Sequence, residues 1–413
     1  MADSDVETVI VGGGAAGIAA ARRLHNAGVG CLIVEARPRL GGRAWTIVDP
    51  SGHPIDLGCG WLHSADRNPW VVIAEEQQKT IDKSPPPWRR PSLPLGFASE
   101  NQRDFLKSQE EFFARVSERA QMEPDFAVAD LLTPGGRWNN LINAIGTYIS
   151  GAELDRLSAR DFDNFDDTGV NWRIVEGYGA TIAACGNALP VKLNCPVRKV
   201  DHGGRRLKIE TSSGTITADR IIVTVSTAIL AESDGFFAPS LPDKMWAAQN
   251  LPLGLADKLF LSLDHAEEFE KDGRLFGATD RTATATYHLR PFGRPQIEAY
   301  FGGRLATDLE TQGDSAFFDF AVSQLTSLLG STFAQRLKPI RIHRWRADPF
   351  ARGAYSYAVP GMADCRAALA APVDDRLFFA GEACSRSDFS TAHGGWNTGI
   401  AAAEQVLRAR KRA

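Results

Sequence analysis

At 413 residues the chain exceeds the size at which a single hydrophobic core keeps growing, so two domains are expected. Its 44% hydrophobic and 23% charged residues match a soluble globular protein, and a formal net charge of −4 gives no electrostatic basis for binding nucleic acid or an anionic membrane. The basic tail RARKRA reads as a solvated helix end. No apolar run approaches a membrane span, and the first strand begins within ten residues of Met1; a cytoplasmic protein without a signal peptide is the expectation. Six cysteines (Cys31, Cys59, Cys185, Cys195, Cys365 and Cys384) show no metal-ligand spacing, so reduced thiols and no metal are expected.

The stretch from Val6 to Glu35 organises the chain. Val9, Ile10 and Val11 suit a buried parallel strand that breaks into Gly12, Gly13 and Gly14. Gly12, Gly14 and Gly17 fit G-x-G-x-x-G: the first allows a tight turn, the second lets backbone approach a pyrophosphate, and the third lets helix pack on strand. A helix over Ala15 to Ala27 aims its free N–H groups at that phosphate. Glu35, at the tip of a second strand, can accept both hydroxyls of an adenosine ribose. In the following ARPRLGGRAW, Gly42 exposes backbone, while Arg37 and Arg43 can neutralise a pyrophosphate or fix a loop against it.

Next comes IDLGCGWLH, containing Gly58, Gly60, Trp61 and His63. With these segments in this order, the chain resembles the flavin-containing amine oxidases, and the WLH triplet resembles the polyamine oxidase branch. The resemblance implies an α/β (α+β two-domain) chain with a discontinuous, Rossmann-like FAD-binding domain of the glutathione-reductase type over 1–80, 173–247 and 348–413. A mixed sheet-plus-helices substrate domain would take 81–172 and 248–347. It also implies that His63 lies near the substrate and that Val197 offers its backbone to adenine. Lys258, leading into the apolar strand of Leu259, Leu261 and Leu263, would hold a water against flavin N5. A solvent-facing lysine at a strand end is the alternative reading.

Between these segments, Gln102 to Met122 and Trp138 to Ile149 have helical spacing, and the phenylalanines Phe105, Phe112 and Phe113 read as core. Asp161, Asp163, Asp166 and Asp167 read as a solvated face, with steering of a polycation as the other reading. Further on, neither Tyr287, His288, Phe292, Tyr300 nor Phe301 can be assigned to a cavity. Ser226 replaces the proline common in the family.

The strongest family signature is Trp345, then DPFARGAYSYAVPG, then RLFFAGEACSRSDFSTAHGGWNTGIAAAEQV. Gly381 and Glu382 end a buried strand, and Gly394 and Gly395 open a helix. The resemblance implies cofactor contacts at Ala15, Ala16, Ala36, Trp345, Ala392 and Gly395. It also sets Tyr355 and Trp396 as two rings facing the flavin, with the amine between them. Ordinary aromatic packing is the alternative. Ala354 occupies the position of the cysteine that binds flavin covalently in monoamine oxidases, so non-covalent FAD is implied.

The implied activity is oxidation of a small-molecule amine by hydride transfer to flavin N5. Imine hydrolysis to an aldehyde or ketone follows, with reoxidation by O2 to hydrogen peroxide. Competing readings are a flavin amine dehydrogenase, an amino-acid oxidase using Arg89, Arg90, Arg290 or Arg344 for a carboxylate, a desaturase or porphyrinogen oxidase, and a partner-binding flavoprotein. Monomer and homodimer both stay open.

Overall fold

The computed structural model describes residues 4–232 and 235–412. Two sheets carry the fold, and each was foreshadowed by its apolar runs. The first contains β1 (Ser4–Val11), β2 (Cys31–Val34), β3 (Val191–Lys192), β4 (Val197–Asp201), β5 (Leu207–Thr211), β6 (Gly214–Val223) and β7 (Phe237–Ala238), in the order β7-β4-β5-β6-β1-β2-β3. An eighth strand, Leu377–Phe379, pairs in parallel with the end of β6, register Val223 to Phe379, and so belongs to this sheet although it lies more than 150 residues further along. β1, β2, β3 and β6 are parallel neighbours, whereas β5 runs antiparallel to β4 and β6.

Val9, Ile10 and Ile33 are fully buried because helices cover the sheet. The main cover is α1 (Ala15–Asn26) against the C-terminal helix Ala392–Arg412. That packing depends on missing side chains: a Cβ on Gly399 would stand 2.2 Å from the carbonyl oxygen of Ala16.

The second sheet is antiparallel, with β8 (Ala256–Leu263), β9 (Gly273–Phe276), β10 (Thr286–Leu289), β11 (Gln296–Gly302) and β12 (Leu337–Ile342) in the order β9-β10-β11-β8-β12. One face buries Leu259, Leu261, Tyr287, Leu289, Ile297 and Phe301 against helices that include Asp314–Leu329. The other face carries Lys258, Glu298 and Tyr300, which is the alternation that places polar groups on a cavity.

Helices α2 (Ser99–Arg119) and α3 (Asn139–Ser150) confirm the two helical stretches read from the sequence. Gly151, left-handed at φ 71°, ends the second. Phe105 and Phe112 are core, but Phe113 is 37% exposed and stands on the cavity wall. Asp161 departs from the solvated-face reading. It is buried and binds Arg366 at 2.6 and 2.8 Å, while Asp166 at the surface pairs with Arg67. Among the described residues no helix is long and apolar enough to cross a membrane, and the six cysteines are unpaired thiols.

Candidate active site

A single cavity of about 1610 Å³ runs from the C-terminal ends of β1 and β2 to the second sheet. Its nucleotide end follows from the glycines. Gly12, at φ 108°, donates its N–H to the Val34 carbonyl at 2.9 Å and turns the chain into α1. Gly17 works from behind the wall: a Cβ there would meet the Gly12 carbonyl oxygen at 1.9 Å, so it permits helix–strand contact and does not itself line the cavity.

The first turn of α1 has no acidic residue and its N-cap, Gly14, supplies no side-chain acceptor, so the N–H groups beside Ala15 and Ala16 are left to the cavity. Glu35 is buried on the same wall. Its Oε2 accepts the Gly13 N–H at 2.6 Å and its Oε1 the Arg37 N–H at 2.8 Å, which sets the carboxylate in place with acceptor capacity to spare. N–H donors at an uncapped helix N-terminus and a fixed acceptor carboxylate one strand away are what a dinucleotide's phosphates and ribose require, and the cavity there fits FAD. Ala36, Gly42, Val197, Gly381 and Gly395 complete that wall.

Two of the three arginines of the ARPRLGGR segment, Arg37 and Arg43, fix loops. Arg37 Nη2 binds Asp348 at 2.6 Å, and Arg43 Nη1 binds Glu382 Oε1 at 2.9 Å and the carbonyl of Ala354 at 2.6 Å. Arg43 thereby joins three segments distant in sequence. Nearby, Gly58 is forced to be glycine by the Arg43 carbonyl oxygen, 1.7 Å from where its Cβ would stand, and Trp345 Nε1 donates to the Leu57 carbonyl at 3.1 Å. Gly60 and Trp61 line the same passage.

At the other end Lys258 is buried, its ammonium 3.0 Å from Glu298 Oε1 and 3.2 Å from the carbonyl of Asp56. The solvent-facing reading of this lysine is therefore excluded. Burial works against its charge, but Glu298, Tyr300 and Asp56 outweigh it and raise the pKa above that of ordinary lysine. Burial likewise opposes the charge of Glu298, and Lys258 and His288 overcome it, holding the carboxyl at about 2. A Cβ on Gly60 would lie 3.2 Å from Lys258 Nζ, so that glycine keeps the space beside the ammonium clear.

Tyr355 lines the cavity, donates its hydroxyl to the carbonyl of Tyr148 at 2.6 Å and lies 3.2 Å from the Tyr300 hydroxyl. Tyr148 meets Tyr300 edge-on at 5.9 Å. Burial raises the pKa of all three phenols, which stay neutral donors. His63 faces the cavity with Nδ1 2.6 Å from Asn171 Oδ1, an acceptor that assigns the proton to Nδ1 and leaves Nε2 for the cavity. Burial lowers the His63 pKa against the opposing pull of Asp167 and Asn171, so the imidazole is neutral.

Trp396 does not join this group. Its indole packs on Trp70, ring centroids 4.7 Å apart, and lies under Arg22 at 6.0 Å, half-buried against the core behind α1. The reason is helical phase: the residues of this segment that reach the cavity are Phe389, Ser390, Thr391, Ala392 and Gly395, and one further residue turns the side chain toward Trp70. No slot between Tyr355 and Trp396 exists, and the small Thr391 takes the wall position. Of the arginines considered for a carboxylate, Arg89 and Arg90 line the cavity; Arg290 binds the carbonyls of Phe269 and Gly293, and Arg344 pairs with Asp314.

Several cavity residues escaped the sequence: Glu298, Asn171, Tyr148, Thr391 and Arg274. Sequence alone assigns neither His288 nor Tyr300 to a cavity; strand alternation places both on the Lys258 face. The signal was present as period two, but it needed the register of three strands.

The family model described as "Flavin containing amine oxidoreductase" matches residues 15–407. Polyamine oxidase 4 of Oryza sativa subsp. japonica is 28% identical, the alignment covering 98% of this chain and 89% of that protein. Polyamine oxidase 2 of Arabidopsis thaliana is 29% identical over 96% and 87%. Lysine-specific histone demethylase 2 of Homo sapiens is 24% identical over 96% of this chain and 53% of its own length. Among solved structures, a double mutant of putrescine oxidase with redesigned cofactor binding superposes with a TM-score of 0.79 at 16% identity, covering 98% of this chain and all of that one.

Proposed function

Since the chain belongs to the flavin-containing amine oxidoreductases, and is therefore an FAD-dependent oxidoreductase, we propose that it is an oxidase of small-molecule amines that releases an imine, and after hydrolysis an aldehyde or ketone. FAD, held by Glu35 and the N-terminus of α1, would supply the two-electron acceptor for the hydride of the amine α-carbon, with O2 as the final acceptor and hydrogen peroxide as its product. The observation that carries this reading is the meeting of Lys258, Tyr300, Tyr355 and His63 on the wall of the cavity that also contains Glu35 and the N-terminus of α1.

Each residue has work that its surroundings permit. Neutral His63 accepts an N–H of the amine through Nε2 while Asn171 holds the ring. The Tyr355 ring offers the amine a π-face, and its hydroxyl contacts to Tyr148 and Tyr300 prevent the ring from turning. Lys258, charged and held by Glu298, orders a water in the space that Gly60 leaves open. Because the neutral amine is the form that reacts, the rate rises with pH on the alkaline side.

Anaerobic mixing of the holoenzyme with primary, secondary and polyamines, followed by air, tests the reading. One amine should bleach the oxidised flavin band and air should restore it rapidly with peroxide formed. Bleaching with slow recovery identifies a dehydrogenase with another acceptor, and no bleaching by any amine removes the proposal.

A further inference from the structure

The cavity face of the second sheet presents its side chains in two rows. Arg274, His288 and Glu298 are successive cross-strand partners in one row; Phe276, Thr286, Tyr300 and Lys258 form the other. All seven stand on the cavity wall. Charges in this face are matched except at one end. Lys258 holds Glu298, and His288 lies between Asp272, at 2.9 Å, and Glu298, at 3.8 Å.

Arg274 is the exception. Its guanidinium stacks on Phe276, 4.1 Å from the ring centroid, and among the described residues it has neither a carboxylate at ion-pair distance nor a hydrogen-bond acceptor. Burial lowers its pKa to about 10, opposed only by Tyr148. Stacking satisfies the flat face of a guanidinium and leaves its edge, a planar fork of N–H donors that matches a carboxylate in bidentate fashion. Arg274 is half-buried on the cavity wall, so that unpartnered edge is open to an anion that enters the cavity. Arg89 and Arg103 at the mouth are exposed, so water serves them.

We propose that Arg274 binds a carboxylate of the substrate, which makes the substrate an amine carrying a carboxylate at its far end. The proposal rests on amine oxidation being the reaction. Three strand spacings separate Arg274 from Lys258, about 14 Å between backbones. The carboxylate and the reacting nitrogen therefore sit several bonds apart, as in an ω-amino acid and unlike an α-amino acid. One guanidinium set beside a phenyl ring matches a monoanion better than a phosphate dianion.

The test uses the FAD-loaded protein and three probes of matched length: ω-aminohexanoate, hexylamine and hexanoate. Dissociation constants come from anaerobic flavin bleaching for the two amines and from the flavin difference spectrum for hexanoate, which cannot be oxidised. The wild type should prefer ω-aminohexanoate to hexylamine, and Arg274→Met should reduce that preference roughly a hundredfold, with Arg274→Lys in between. Hexanoate should perturb the wild-type flavin and bind Arg274→Met about a hundredfold more weakly. Flavin content and near-UV dichroism establish that each variant is folded. Equal preference in wild type and Arg274→Met, or no hexanoate binding to the wild type, overturns the assignment. Hexanoate binding that depends on Arg274, with no amine bleaching the flavin, retains the carboxylate site and removes amine oxidation instead.

Discussion

Lys258 and Glu298, on neighbouring strands of the second sheet, face each other at 3.0 Å inside the cavity. Glu298 is the reason that a lysine at a strand end is buried and charged. Removing one partner of such a pair strands the other, which typically costs 3–5 kcal/mol, roughly. Lys258→Met should accordingly lower stability by about that amount and slow flavin reoxidation by oxygen. Adding Glu298→Gln should return most of the stability in urea melts while reoxidation stays slow. Unchanged reoxidation in stopped flow would show that Lys258 only balances Glu298.

Acid should expose the same pair. The Glu298 carboxyl is held at about 2, below the ordinary glutamate value of 4.5, so the pair's contribution is complete above pH 4.5 and is lost as pH falls toward 2. The loss over that window is on the order of 3 kcal/mol. Glu298→Gln should flatten the slope of unfolding free energy against pH in this range; an identical slope would mean that other carboxylates dominate.

His63 depends on Asn171 for its tautomer. Replacing Asn171 with Asp sets a negative charge beside the ring, which favours the protonated imidazole and raises its pKa. The acidic limb of the kcat/KM profile should then move to higher pH, by about one unit. An unmoved limb would take His63 out of the amine contact.

Thr391 and Trp396 should exchange the roles that an aromatic signature suggests. Trp396→Ala opens a hole against Trp70 and should cost about 2 kcal/mol in stability with amine dissociation constants unaltered. Thr391→Trp narrows the cavity and should raise KM for branched secondary amines more than for linear primary ones. A large change in amine binding on losing Trp396 would contradict its packing.

Ala354 carries no nucleophile, so acid precipitation of the protein should release yellow, unmodified FAD. Flavin retained in the pellet would reveal a covalent link.

Local patterns were enough to announce the nucleotide half. A strand, three glycines, a helix start and Glu35 lie within about thirty residues, where turn geometry and helix dipoles act over short sequence distance. The same is true of Tyr355 and Lys258, whose neighbouring residues mark them. Trp396 shows the limit of that approach: a motif gives the residue type, but one residue of helical phase decided that the ring faces Trp70 and not the cavity.

What the sequence by itself determined was the fold class and the flavin-containing amine oxidoreductase family, both carried by motifs in contiguous segments. Tertiary structure alone decided the pairing of charges. Lys258 finds Glu298 forty residues on, His63 finds Asn171 after 108 residues, and Arg274 finds no carboxylate among the described residues. Such matches depend on strand register and on which groups are withdrawn from water together. A chain of letters carries no register, and a charge acquires its partner and its pKa only when folding sets its distance to every other charge.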